Sequence, residues 1–238
     1  MDTVLFLGFS AAYLVLLAWG IVLVVRRRRV IVSDVALLVF AALVYDNAVL
    51  GLGSFVGEGA GLETANAARY WLHALVTPLL VLVAWNVLVR AGVRWAKSRW
   101  AAVVAVALTV ALIAYEIAVG AAPARLVAER EYGILSYANE NAPDGPPIMV
   151  LVVAAALLLT GVYAWKRRGW PWLCVVTVLM VLGSAVPIPL PSGAITNSFE
   201  LILLIGALAT VAFQDGRERM PRADGDPGTR SAESAAGN

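Results

Sequence analysis

The sequence predicts an all-α membrane bundle of seven transmembrane helices, and three observations carry that expectation. Of its 238 residues 61% are hydrophobic and 14% charged, whereas a soluble domain is nearer half apolar and about a quarter charged. Seven apolar runs approach or reach the roughly 20 residues that a helix needs to cross hydrocarbon. The basic residues gather in alternate connections between those runs.

The runs are roughly 4–25, 33–52, 70–90, 100–120, 147–165, 171–190 and 198–214. Arg26 to Arg29 follow the first and Arg90, Arg94, Lys97 and Arg99 the third. Lys166 to Arg168 follow the fifth, and Arg217, Arg219, Arg222 and Arg230 the seventh. Fifteen of the 18 lysines and arginines therefore lie on one side, leaving Arg69, Arg125 and Arg130 on the other. Cytoplasmic loops carry the excess of Lys and Arg, so the N-terminus is expected outside and the C-terminus in the cytoplasm. An odd number of spans requires the same arrangement. The first run lacks a basic n-region, starts with Asp2 and has its arginines after the apolar stretch, so it reads as an N-out anchor and not as a leader. Trp95, Trp100, Trp165, Trp170 and Trp172 flank the basic connections, as interfacial aromatics do. Residues 1–214 are thus expected to form the bundle. Residues 215–238, polar and rich in Gly, Ala, Asp and Arg, are expected as a disordered cytoplasmic tail.

The outer connections differ in character. Residues 51–66 are glycine-rich and carry Glu58 and Glu63, and 121–146 form the longest loop, acidic and ending in a Pro-Asp-Gly-Pro-Pro stop at 143–147. The connection at 187–198 has Pro187, Pro189 and Pro191. None shows strand alternation, so no sheet is expected. The lone Cys174 excludes an intramolecular disulfide and reads as a packing residue. The cations form no patch on a soluble face, so no nucleic-acid partner is expected; the first partner is the lipid bilayer.

Three acids stand inside the apolar runs, Asp46, Glu116 and Glu200. A charge in hydrocarbon is costly, which makes each a functional-site hypothesis. Asp46 and Glu116 close outward-running helices and Glu200 opens an inward-running one, so all three are expected in one outer-side layer. Tyr45-Asp46-Asn47 sets an acid between two hydrogen-bonding side chains, and a carboxyl kept neutral in apolar surroundings can donate a proton. The alternative is an Asp46 already solvated among headgroups. Tyr115-Glu116 repeats the aromatic–acid pair, and Phe199-Glu200 resembles it. For Glu200 the plainer reading is strong, because Asn197-x-x-Glu200 has capping-box spacing with asparagine as N-cap.

His73 is the only histidine and shares a helix face with Thr77. A single histidine cannot build a haem or zinc site, so no metal or cofactor is expected; hydrogen bonding to one of the acids is the functional alternative to a packing role. Tyr70 and Trp71 place two rings beside it, and the glycines around Glu58 allow a loop that folds over the bundle mouth. The only lysines, Lys97 and Lys166, lie in basic connections, which excludes a retinal Schiff base. There is no HExxH and no Asp-Asp-x-x-Asp cluster for magnesium diphosphate.

Three functions remain. An acid could protonate an alkene or epoxide of a lipid-like substrate, with Tyr45, Phe55, Tyr70, Trp71, Trp85, Tyr115 and Phe199 supplying π-faces for the developing cation. The acids could instead serve a small proton- or cation-coupled transporter, or hold helices together. In length, number of spans, lack of metal motifs and aromatic–acid pairs, the chain resembles the small integral-membrane terpene cyclases. These comprise the fungal meroterpenoid cyclases and their actinobacterial relatives that act on prenylated indoles or diketopiperazines. The fungal Trp-Glu pair on an early helix is absent; Tyr45-Asp46, Tyr115-Glu116 and Phe199-Glu200 are the nearest matches, and the family's late acid would correspond to Glu200. The resemblance implies metal-independent, proton-initiated cyclisation of a farnesyl-type chain on a hydrophobic prenylated small molecule, in the cell membrane. It implies catalytic roles for Asp46, the leading acid, and for Glu58, Glu116 and Glu200. Tyr45, Asn47, Tyr70, Trp71, His73, Tyr115 and Phe199 would contact the substrate.

Overall fold

Local sequence accounts for most of the elements. In the computed structural model, residues 2–142, 147–185, 192 and 194–219 are described. Helix α1 (Asp2–Arg27) is followed by a 3-10 turn, Val32–Val35, and by α2 (Ala36–Val56). Helices α3 (Ala60–Val76) and α4 (Leu80–Arg90) are two arms of one 31-residue apolar rod. A 3-10 turn at Thr77–Leu79 interrupts it, where Pro78 has no N–H for the α-helical ladder. Helix α5 (Arg99–Glu116) starts at a true cap, the Ser98 hydroxyl accepting from Ala101 N at 3.1 Å, and ends in a π turn, Ile117–Ala121. Strands β1 (Leu126–Glu131) and β2 (Ile134–Asn139) pair antiparallel. Helices α6 (Ile148–Arg168), α7 (Trp172–Ala185) and α8 (Ile195–Arg219) complete the chain.

The described residues are 81% helical, and the protein is all-α in class. Counting the α3–α4 rod once, six helices among the described residues are long and apolar enough to cross a membrane. The seventh expected run, 171–190, is described only as α7, 14 residues long. Residues 1, 143–146, 186–191, 193 and 220–238 lie outside the described residues, and with them most of the proline-rich connections and of the expected tail.

The core holds Tyr13, Phe40, Val83, Met149, Leu157 and Leu204, all wholly buried, where α1, α2, α4, α6 and α8 meet. Outside, the pattern of a soluble protein is reversed: Val15, Val104 and Leu182 are 67%, 62% and 56% exposed. Apolar rows of this kind facing outward on helices suit a lipid surround, in which the helix already satisfies its own backbone groups.

Three expectations are corrected. The loop at 121–146 contains a β-hairpin, turned by Tyr132 (φ 48°) and Gly133 (φ 86°). Two successive positive φ values give the primed turn that matches strand twist, and Gly at the second position is its usual signal. The hairpin rests on α2 at Gly53, where a Cβ would collide with the Leu135 carbonyl. The connection expected at 51–66 is mostly helix, and only residues 57–59 separate α2 from α3. Both helices continue past the apolar run because they pack on each other and on β2.

The bundle also does not stop at residue 214. Helix α8 runs to Arg219, and Asp215, expected in the tail, is 3% exposed. Its carboxylate accepts from Arg27 Nη1 at 2.9 Å and Arg90 Nη2 at 2.6 Å. Arg27 Nη2 reaches both oxygens of Asp34 at 2.6 Å, and Arg90 Nε reaches Glu218 Oε1 at 2.9 Å. Arg29 also pairs with Glu218. A charged layer therefore ties together the ends of α1, α4 and α8 and the 3-10 turn before α2, which is why the helix persists into polar sequence.

Candidate functional site

Helix α3 is polar along one face: Asn66, Arg69, Tyr70, His73 and Thr77 recur at spacings of three and four, which stacks them on one side of a helix. That face looks toward Asp46 on α2 and toward the first turns of α8. Leu43, Asp46, Arg69, Tyr70, His73, Asn197 and Glu200 line one cavity of about 280 Å³. Asp46 lies ten residues before the end of α2, about 15 Å along the axis at 1.5 Å per residue.

Within the cavity Asp46 is not isolated. Its Oδ1 accepts from Arg69 Nε at 2.8 Å, and Arg69 Nη1 donates to Asn66 Oδ1 at 2.7 Å. Asn66 is fully buried and its own Nδ2 donates to the Leu62 carbonyl at 2.8 Å, so the guanidinium is held from behind by a braced amide. The pair is partly screened, with side chains 24% and 16% exposed for Asp46 and Arg69. Charge-assisted bonds of this kind are the stronger ones.

Glu200 lines the same cavity from α8. It makes no hydrogen bond or ion pair to the described residues, unlike Asp46. The capping box is overturned: α8 begins at Ile195, two residues before Asn197. Asn197 therefore lies inside the first turn, and its amide donates to Asn47 Oδ1 at 2.9 Å instead of serving a backbone N–H. A second, apolar space of about 40 Å³ opens beyond, between Leu80, Val150, Val153, Ala154, Met180, Leu203 and Leu204, and it is also lined by Thr77. Among the described residues His73 and Glu200 alone line both spaces, so they form the sill between a polar chamber and an apolar crevice. His73 Nδ1 lies 3.3 Å from the Thr77 hydroxyl, as the one-turn spacing predicts.

The other expected residues divide. Tyr45 donates its hydroxyl to the Ala65 carbonyl at 3.0 Å and ties α2 to α3. Asn47 is fully buried beside the cavity. The Tyr70 hydroxyl accepts from Asn139 N at 3.1 Å, which joins the cavity wall to the hairpin. Trp71, one residue further and 42% exposed, does not line the cavity. Phe199 packs its ring against Gly183 of α7, where a Cβ would collide with it. Tyr115 and Glu116 are not in the cavity wall; Glu116 is the last residue of α5, at the change to the π turn. The two aromatic–acid pairs are therefore not equivalent around one pocket. Glu58 is exposed in the short link between α2 and α3 and does not line the chamber. Of the aromatics expected to face a developing cation, Tyr70 alone lines the cavity.

Arg69, Asn66, Asn197 and Tyr13 join the site without a signal in the apolar pattern that marks the acids. Starting α3 at Ala60 makes the first two visible, since Asn66 and Arg69 then fall on the His73 face. Tyr13 gives no sequence signal. It is fully buried, its hydroxyl has no hydrogen-bond partner, and it lies close enough to Glu200 and Asp46 to interact electrostatically with both.

The arrangement combines a committed ion pair, a carboxyl with no hydrogen bond or ion pair among the described residues, and an imidazole at the mouth of an apolar crevice. An isolated carboxylate in apolar surroundings is costly, and a carboxyl so placed is chemically able to carry a proton or take a bound cation. No protein-family model matches the chain, and neither does any curated protein sequence.

Proposed function

We propose that the chain is a multi-pass membrane enzyme of the small terpene-cyclase type, with seven spans, the N-terminus outside and the C-terminus cytoplasmic. It starts cyclisation of a prenyl chain on an amphiphilic substrate by protonation, without a metal. Glu200 takes the role of donor in preference to Asp46. A carboxylate paired with a guanidinium accepts hydrogen bonds and holds no proton to give, whereas Glu200 has no such partner. The observation that carries the reading is the shared sill: Glu200 and His73 touch both the polar chamber and the apolar crevice. A substrate head hydrogen-bonded to Tyr70, Arg69 and Asn197 would leave its apolar chain passing Glu200. A chamber of about 280 Å³ is at the small end of ligand sites, which run to about 1,000 Å³. It suits one end of such a molecule, the rest extending between helices toward lipid.

In the first step the Glu200 O–H bond breaks and its proton adds to an alkene carbon or epoxide oxygen. The π electrons of the next double bond close the ring, and loss of a proton from the final cation returns the balance. General acid catalysis contributes about 10²–10⁴-fold, so Glu200→Gln is expected to lower cyclised product by that factor in a host supplying a prenylated acceptor. Product formation by Glu200→Gln at the parent rate would refute the donor assignment. Asp46→Asn is expected to weaken substrate binding more than turnover.

A second reading, proton- or cation-coupled transport, is favoured by one observation. Asp46 lies midway along α2, ten residues from either end, and one end of the bundle is closed by the charged layer of Arg27, Asp34, Arg90 and Asp215. Uptake into vesicles driven by a proton gradient and lost in Asp46→Asn would select this reading over catalysis.

A further inference from the structure

Helices α2 and α8 carry the two carboxyls of the chamber, yet they make little direct helix-to-helix contact; α8 packs chiefly on α7 and α1. Besides the core they share around Phe40 and Leu204, a pair of amides joins them. Asn47 follows Asp46 and is 0% exposed. Its Nδ2 donates to the Leu43 carbonyl one turn back at 2.9 Å, and its Oδ1 accepts from Asn197 Nδ2 at 2.9 Å. Asn197 precedes Glu200 by three residues, and residues three apart share a helix face. Each carboxyl therefore has a bridging amide as its near neighbour, Asp46 through the chain and Glu200 through one helical turn.

We infer that the Asn47–Asn197 bridge is the positioning device of the chamber, setting the separation between the Asp46–Arg69 pair and Glu200 and turning Glu200 toward the cavity. The inference rests on reading the chamber as the functional site. Asparagine meets a double requirement at 47: one amide must donate backward along α2 and accept across to α8. Aspartate lacks the donor and alanine lacks both. An unpaired amide in apolar surroundings is costly, so each partner enforces the position of the other. Asn197 lines the chamber itself, so the same side chain couples the bridge to whatever occupies the site. Neither Asn47 nor Asn197 transfers a proton in this reading; Asn47 acts through the placement of Glu200, and Asn197 does so while also facing the substrate head.

The test uses the full chain in lipid nanodiscs and two readouts independent of turnover. One is labelling of Glu200 by dicyclohexylcarbodiimide, a hydrophobic reagent for protonated carboxyls, followed by mass spectrometry across a pH series. The other is the distance between spin labels at Leu52→Cys on α2 and Thr196→Cys on α8, in a background with Cys174→Ala. Asn197→Asp keeps the shape and removes the donor; Asn47→Ala and the double variant complete a cycle. Each single variant is expected to change the labelling rate by about five- to tenfold, the size of one buried hydrogen bond. Each should also shift the pH profile and broaden the distance. The double variant should do no more than the worse single one, because the same bond is lost. Unchanged labelling, pH profile and distance, with only a lower melting temperature, would overturn the inference and leave the bridge a packing contact. If Glu200 fails to label in the parent chain, the reading of Glu200 as a reactive acid fails, and the spin-label distances still decide the bridge.

Discussion

Replacing Asp215 with asparagine removes one anion from a layer in which three charges are almost wholly buried. The side chains of Asp215, Arg27 and Arg90 are 2%, 4% and 7% exposed. In the variant Arg27 keeps its two bonds to Asp34, and Arg90 keeps Glu218, whose side chain is 39% exposed. Arg90 Nη1 already has no partner, so little reserve remains on that side. Removing one member of a buried pair costs about 3–5 kcal/mol, and the surviving bonds place this case near the lower figure. For a chain of this size, about 2–4 °C of melting temperature corresponds to 1 kcal/mol. Asp215→Asn should therefore melt about 6–12 °C below the parent, as followed by tryptophan fluorescence in detergent. Salt should change the difference little, because buried pairs are weakly screened. The exposed pair Arg125–Glu140, 74% and 54% exposed, provides the control: Arg125→Ala should melt with the parent. An Asp215→Asn protein melting within about 2 °C of the parent would refute the argument that this layer anchors α8.

Four further outcomes follow from particular contacts. Gly53→Ala puts a methyl into the Leu135 carbonyl; overpacking of this kind costs about 1–3 kcal/mol, and protease cleavage in the hairpin should rise with it. Tyr13→Phe removes a buried hydroxyl that has no partner, so stability should hold or increase slightly in thermal melts. Glu116→Gln should leave both the carbodiimide labelling of Glu200 and product formation unchanged, since Glu116 lies outside the chamber. A fluorescent protein fused to the C-terminus should fold in the cytoplasm while an N-terminal epitope is reached by antibody on intact cells; the reverse pattern would overturn the orientation.

The candidate site was half legible. Asp46, Tyr70, His73 and Glu200 stand out as polar groups in apolar runs, and they do converge on one chamber. Glu116 carried the same signal and lies elsewhere, because an acid at the same depth can face any direction around its helix. Arg69 looked like an ordinary interfacial cation, and Asn197 like a cap, since spacing along one helix cannot register a partner on another. The hairpin at 126–139 has no apolar alternation in sequence because its first strand is largely exposed. Only the Tyr132-Gly133 turn marked it.

Sequence alone determined that this chain is built of apolar helices, where most of them run and on which connections the cations gather. Those properties are sums over short stretches: hydropathy over about 20 residues and charge within a loop. Tertiary structure decided which charges meet. Asp46 finds Arg69 across 23 positions, Arg90 finds Asp215 across 125, and Arg27 finds Asp215 across 188. It also decided that Glu200, with no hydrogen bond or ion pair to the described residues, stands at a sill shared with His73. These outcomes depend on the rotation and axial register of each helix against its neighbours. Packing between helices sets both, and a local apolar sum carries neither.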